Sequence, residues 1–306
     1  MKFAYKSLVL FGLLAKLRLH SSDLDLQFVN SRKADHIDLR DTTQAQMQAA
    51  FGNERGFKGK LWSYLGPKDG SDILIFYSGH GVAGQRDKRG YLLPVDTDPD
   101  QAEINGYPAD LLYKNLGKLK ARSKTVLLDA CFSGDSHKGM LIRSASPVYI
   151  KAKAISVGEG ITVLTATSEE QLASWDEDAQ HGLFTEYFLR GVYGKANADV
   201  NGTMTVAEVK GYLDVKMTRA ARRTYRREQT AMAMGDTSRI LGVFPAGRAG
   251  GRFNKPNDPQ QMGIAVAIGQ VALDNDGIIG QPPSGMDRGD KGQRNKHLVM
   301  CATLNH

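Results

Sequence analysis

Two residues of this chain have the types and settings that covalent chemistry needs, His80 and Cys131. His80 lies in Tyr77-Ser78-Gly79-His80-Gly81, after the apolar run Ile73-Leu74-Ile75-Phe76. Cys131 lies in Asp129-Ala130-Cys131-Phe132-Ser133-Gly134, after Thr125-Val126-Leu127-Leu128. The thiolate is the nucleophilic form of cysteine, and an imidazole can take or share its proton and later protonate a leaving amine. Both residues end runs that read as buried strands, and both stand near glycines that let a substrate backbone come close. Gly81 and the backbone N–H of Cys131 are the expected oxyanion donors. Alone, Cys131 would equally suit a small buried hydrophobe, and His80 a loop imidazole. Together they point to nucleophilic acyl transfer, with a cysteine peptidase as the leading reading.

The elements that must position this pair follow from the hydrophobic pattern. Short apolar runs alternate with helical segments, which predicts an α/β fold built on a mostly parallel sheet. Strands are expected over 72–77, 125–128 and 161–166, with a short one near 36–39. Asp41-Thr42-Thr43 offers N-cap chemistry for a helix from Gln44 to Phe51. Further helices are expected over 61–65, 108–119, 183–191 and 206–225, and Tyr91 to Pro94 reads as an edge-like segment. In such a sheet, ligands bind beyond the carboxyl ends of the strands, where both motifs fall.

The chain has 306 residues, 41% hydrophobic and 24% charged, enough for one large domain with an appendage. Its net charge of +7 is concentrated in Arg219, Arg222, Arg223, Arg226 and Arg227 and in the C-terminal tail. That cluster reads as a solvated helix face, and with no RNA-binding motif or zinc-finger spacing beside it no nucleic acid is expected. Two cysteines, Cys131 and Cys301, do not make a disulfide framework and imply a reducing, cytoplasmic location. Lys2 and Lys6 with the apolar run from Ser7 to Ala15 keep a secreted or periplasmic location as the alternative. That run is too short to span a bilayer, so no membrane span is expected. Beyond Gly247 the chain turns Gly/Pro-rich and polar, with only Met262 to Leu273 apolar enough for a helix or strand. The expected organisation is an irregular segment 1–35, a catalytic domain 36–245 and a poorly ordered tail 246–306. Nothing in the sequence fixes an oligomeric state.

These residues carry a resemblance. The His80 and Cys131 motifs, Gly90-Tyr91-Leu92-Leu93-Pro94-Val95-Asp96 and Ser174-Trp175-Asp176 resemble the caspase-like cysteine peptidases of family C14. They resemble most the bacterial caspase-domain proteins related to metacaspases, because Asp-Ala-Cys-Phe-Ser-Gly stands where a caspase has Gln-Ala-Cys-x-Gly. The resemblance spans roughly 36–245. It implies a caspase-haemoglobinase fold, a three-layer sandwich, and hydrolysis of a polypeptide substrate by a Cys131/His80 dyad through an acyl-enzyme. It also implies a large-subunit-like part to about 145, a linker over 146–160 and a small-subunit-like part over 161–245. Arg143, Lys151 and Lys153 are the expected processing sites in that linker. The alternative is a caspase-like regulatory or interaction module with impaired catalysis, since residues 1–30 depart from the family pattern.

Specificity is read from carboxylates. Asp129 stands two residues before Cys131 and so shares its strand face; in relatives this position lines the P1 pocket. A strand-end cap is its other reading. Asp176 follows Trp175 where caspases have Arg, which with Asp129 predicts Arg or Lys at P1. Trp175 would wall P2. The chemistry requires no cofactor, but Asp96, Asp98 and Asp100 could bind Ca²⁺ as an activator, or form a solvated loop. Asp199-Val200-Asn201-Gly202 has its glycine at the fourth place rather than the sixth and is not an EF-hand loop.

Overall fold

The apolar runs on either side of the two motifs become neighbouring parallel strands in the computed structural model. It describes residues 39, 41–65, 72–132, 135–136, 139–140, 152, 156–168, 171–176, 181–201, 203–243 and 302–303. Thr43 caps helix α1 (Gln44–Phe51) in a reciprocal box with Gln46, and α2 (Lys60–Tyr64) follows. Strand β1 (Asp72–Ser78) leads into β2 (Gly81–Ala83) and β3 (Gly90–Leu92). A short helix α3 (Ala102–Asn105), β4 (Tyr107–Pro108) and α4 (Ala109–Gly117) precede β5 (Ser123–Asp129). Next come a small hairpin, β6 (Asp135–Ser136) with β7 (Gly139–Met140), and strand β8 (Ile161–Thr165). Strands β9 (Trp175–Asp176) and β10 (His181–Gly182) open directly onto α5 (Leu183–Arg190). The order continues β11 (Thr203–Thr205), α6 (Val206–Ala220), β12 (Met232–Met234), β13 (Ile240–Val243) and β14 (Ala302–Thr303).

The main sheet has the order β12-β8-β5-β1-β14. The pairs β14–β1, β1–β5 and β5–β8 are parallel, and β12 closes one edge antiparallel to β8. Every residue of β5 and β8 is buried. That is the signature of strands covered on both faces, and it explains why the apolar residues at their centres, Val126-Leu127-Leu128 and Val163-Leu164, do not alternate with polar ones. Helices flank the sheet, and one core cluster runs from Met47 and Phe51 of α1 through the strands to Phe184, Leu213 and Met217 of α5 and α6. The expected α/β architecture is what folds.

Three details differ from the sequence expectations. Tyr91 and Leu92 are not on an edge: β3 is the middle strand of a small antiparallel sheet, β2-β3-β4, because Tyr107-Pro108 supplies a partner too short to show a pattern. The long helix stops being α at Ala220, passes through one wider turn over 221–225, and ends where Arg226 takes a left-handed conformation (φ 52°). β14 adds a strand in a region where only 262–273 reads as apolar enough. Leu39 alone represents the strand expected near 36–39, the rest of which lies outside the described residues. So do residues 1–38 and the tail before Ala302.

Candidate active site

The β1–β5 register decides where the two motif residues go. Ser78 lies opposite Asp129 in this parallel pair, and the ladder continues as Gly79 N–H donates to the Asp129 carbonyl (3.1 Å). Two residues further on, His80 and Cys131 therefore leave adjacent strands at the same sheet edge. Neighbouring strands run about 4.8 Å apart, so the imidazole and the thiol start from neighbouring backbone positions. Both residues are buried, at 6% and 5% exposure, in the lining of the fold rather than on its outer surface. Cys131 is not part of a disulfide.

Gly81 continues this contact. A side chain there would meet the Cys131 carbonyl oxygen at 2.8 Å and the Phe132 ring at 2.8 Å. Gly90, across the β2–β3 hairpin, would likewise press on Phe132, at 3.1 Å. The two glycines let the hairpin after His80 lie flat on the segment after Cys131. The hairpin thus fixes the two motifs against each other.

Tyr77 is a site residue that the sequence reading missed. Its hydroxyl donates to the His80 carbonyl (2.6 Å) and accepts from Leu93 N–H (3.2 Å), while Leu93 N–H also reaches the His80 carbonyl (3.1 Å). Burial pushes the phenol well above its ordinary range, the Leu93 N–H pulls it down, and the charge of the Cys131 sulfur pushes it up again. One phenol therefore touches the His80 backbone and senses the Cys131 thiol. The only trace of this in the sequence is a tyrosine that follows the apolar run Ile73-Leu74-Ile75-Phe76.

Asp129 is placed away from open solvent. Its Oδ2 accepts hydrogen bonds from the Thr185 hydroxyl and from Thr185 N–H (3.3 Å), in the first turn of α5. Burial pushes its carboxyl up to about 6, against the pull of Thr185 and of the His181 charge. The carboxylate also packs on Gly182, where any side chain would collide with it. Gly182 pairs with Trp175, and His181 with Asp176. Asp129, Trp175 and Asp176 are thereby brought into one neighbourhood, joined through β10. Trp175 and Asp176 are both half-buried.

A second polar layer holds that neighbourhood. Gln229, fully buried, accepts from Ser174 N–H (2.8 Å) and donates to the Ala166 carbonyl (3.2 Å), tying the segment before Trp175 to the end of β8. His181, also fully buried, sets Nδ1 on the Gly182 carbonyl at 3.0 Å. Its Nε2 lies 3.2 Å from Glu186, an ion-pair contact rather than a well-directed hydrogen bond. Burial raises the Glu186 carboxyl, but His181 and Arg190 (2.5 Å) outweigh it and hold the group below the usual range. The sequence alone assigns no role to Thr185, Glu186 or Gln229.

The acidic trio proposed for Ca²⁺ is not gathered. Asp96 accepts from Gln44 N–H (2.8 Å) at the start of α1, and Asp98 accepts from Asp100 N–H (3.0 Å). Among the described residues no three His, Cys, Asp or Glu side chains are grouped for a metal. Asp96 and Asp98 each meet a backbone N–H instead. Ser133, Gly134, His137, Arg143, Lys151, Lys153, Glu177 and Asp178 lie outside the described residues. Arg219, Arg222 and Arg223 fall on α6 and the turn after it, with Arg222 paired to Glu228 at 2.6 Å. No helix among the described residues is long and apolar enough to cross a membrane.

Comparison with protein families matches residues 38–231 to the model described as the caspase domain of peptidase family C14. Among solved structures, the crystal structure of protein GSU0716 from Geobacter sulfurreducens is similar, at 18% identity and a TM-score of 0.36, covering 61% of this chain and 76% of that one. Comparison with curated proteins returned no match.

Proposed function

The chain belongs to the caspase-domain peptidases of family C14, and from that premise we propose that it is a cysteine endopeptidase cleaving after Arg or Lys. The observation that carries the reading is the β1–β5 register, which sends His80 and Cys131 off adjacent strands at one sheet edge. In this mechanism His80 takes the thiol proton, and the Cys131 sulfur attacks the scissile carbonyl carbon. The oxyanion is met by the N–H groups of Gly81 and Cys131. As the C–N bond breaks, His80 returns the proton to the leaving amine, and water then hydrolyses the thioester.

The P1 preference is supported by the carboxylates near the thiol. Among the described residues both hydrogen bonds to the Asp129 carboxylate go to Oδ2. That leaves Oδ1 as the acceptor for a guanidinium or ammonium group, with Asp176 beyond it and Trp175 as an apolar wall for P2. The placement on the metacaspase side of the family rests on the same residues. A reducing, cytoplasmic setting suits a mechanism that needs Cys131 as a free thiol.

The test uses fluorogenic peptides ending in Arg, Lys or Asp, with the wild-type chain and Cys131→Ala, each with and without Ca²⁺. The expected result is turnover of the Arg and Lys peptides by wild type alone. Turnover of the Asp peptide only would refute the specificity, and equal turnover by Cys131→Ala would refute the mechanism. A chain that binds these peptides and cleaves none is the regulatory module instead.

A further inference from the structure

Beside the strand that leads to Cys131 lies a polar cluster, Asp129, His181, Thr185, Glu186 and Arg190, of which the reading above uses only Asp129. Its geometry is specific. Thr185 turns both its hydroxyl and its backbone N–H onto one oxygen of Asp129. Gly182 leaves no room for that carboxylate to swing toward β10. The His181 ring is fully buried, its charge acts on Asp129, and its Nε2 meets Glu186. Glu186 is in turn clamped by Arg190, through Nε at 2.7 Å and Nη2 at 2.5 Å. Contacts therefore run from the half-exposed Arg190 through Glu186 to His181, whose charge reaches a carboxylate two residues from the nucleophile.

We propose that Thr185 and His181 are positioning residues that fix the aim of the Asp129 carboxylate and set the lower pH limit for cleavage after Arg or Lys. This rests on Asp129 being the acceptor for the P1 cation. The physical argument is one of opposing effects. Burial disfavours the charged carboxylate, while the Thr185 hydrogen bonds and the His181 charge favour it. The balance leaves Asp129 near 6, so it is charged and able to hold a cation only above that value. Removing either support lets burial win further, and the limit moves up. The charged and titratable groups around Asp129 are His181 from β10, Asp176 paired with it on β9, Glu186 and Arg190 from α5, and Tyr77, His80 and Cys131 at the strand ends.

The same shift acts on stability, with a definite sign. A carboxyl whose folded value lies above its unfolded one contributes stability that is fully present below the unfolded value. That contribution is lost as pH rises through the folded value. For Asp129 the window runs from about 4 to about 6. It extends to higher pH once Thr185 no longer donates.

The experiment compares the full wild-type chain with Thr185→Val, Thr185→Ser, His181→Gln, Asp129→Asn and the Asp129→Asn/Thr185→Val double variant. Two readouts are taken across pH 4–9: kcat/KM on an Arg peptide and on its neutral citrulline counterpart, and the thermal midpoint. In Thr185→Val the acid limb for the Arg peptide moves up by ~1 pH unit, as a rise in KM with kcat near that of wild type at high pH. Thr185→Ser restores the wild-type limb, and His181→Gln shifts it in the same direction. The thermal deficit of Thr185→Val grows as pH rises and disappears in the Asp129→Asn background. An unmoved acid limb, or a deficit that is independent of pH and persists with Asp129→Asn, would overturn the proposal. If the wild-type chain cleaves nothing, the peptidase reading fails, while the thermal cycle still reports whether Thr185 acts through Asp129.

Discussion

The carboxyl ends of β1 and β5 and the β9–β10–α5 corner meet at Asp129, but they are built by opposite means. The first is backbone and apolar: glycines in close contact, one tyrosine, and strands buried on both faces. The second is charged and held by side chains: a fully buried His and Gln, a carboxylate on a helix start, and an ion pair reaching Arg190. On the proposed function, the difference separates two tasks. Covalent chemistry needs atoms held at fixed distances, which a strand register supplies without titrating. Choosing a charged substrate needs a charged group, which must be held against the cost of burying it. The first region should therefore tolerate pH and reject any change of shape, and the second should do the reverse.

The largest expected effect tests the first region at its centre. His80→Ala should lower kcat by about 10³-fold or more with the thermal midpoint within a few degrees of wild type, because it removes a proton carrier and little packing. Gly81→Ala should follow, since its methyl group meets the Cys131 carbonyl and the Phe132 ring. A loss of about 1–3 kcal/mol in denaturant unfolding, the same at pH 5 and pH 8, is the prediction. Gln229→Ala probes the second region without touching its charges. It leaves Ser174 N–H and the Ala166 carbonyl buried and unpaired, at about 1–3 kcal/mol each. KM should rise more than kcat falls, because the segment before Trp175 loosens. Tyr77→Phe is the smallest change, about 1 kcal/mol, and should slow turnover of Arg and citrulline peptides alike. A Tyr77→Phe effect confined to the Arg peptide would erase the distinction between the regions.

Legibility in the sequence follows the same division. β1 and β5 could be read because both faces are buried, so their central positions, Ile73 to Tyr77 and Val126 to Leu128, are apolar without alternation. α1 could be read because Thr43 and Gln46 write a capping box into local sequence. His80 and Cys131 stand out because each follows such a strand. The other region offers no such trace. β9 and β10 are two residues each, too short to show a period, and they exist only because Trp175-Asp176 finds His181-Gly182. Asp129 shows in the sequence as an acid beside the nucleophile, but its bond to Thr185 spans two elements far apart in the chain. Gln229 and Glu186 look like ordinary surface residues, and tertiary packing alone buries them. The Asp96, Asp98 and Asp100 spacing suggests a metal, yet Asp96 and Asp98 cap backbone N–H groups, because a helix start and a short turn lie nearer than any shared centre.

Whether His80 activates Cys131 is tested most directly by covalent capture. The full-length chain and His80→Ala would each be treated with a peptidyl electrophile carrying Arg at P1, and the modified residue and its rate read by mass spectrometry. The account predicts a single adduct on Cys131, formed at least about 10²-fold faster in wild type than in His80→Ala. Labelling of Cys301 instead, or equal rates in the two proteins, would contradict it.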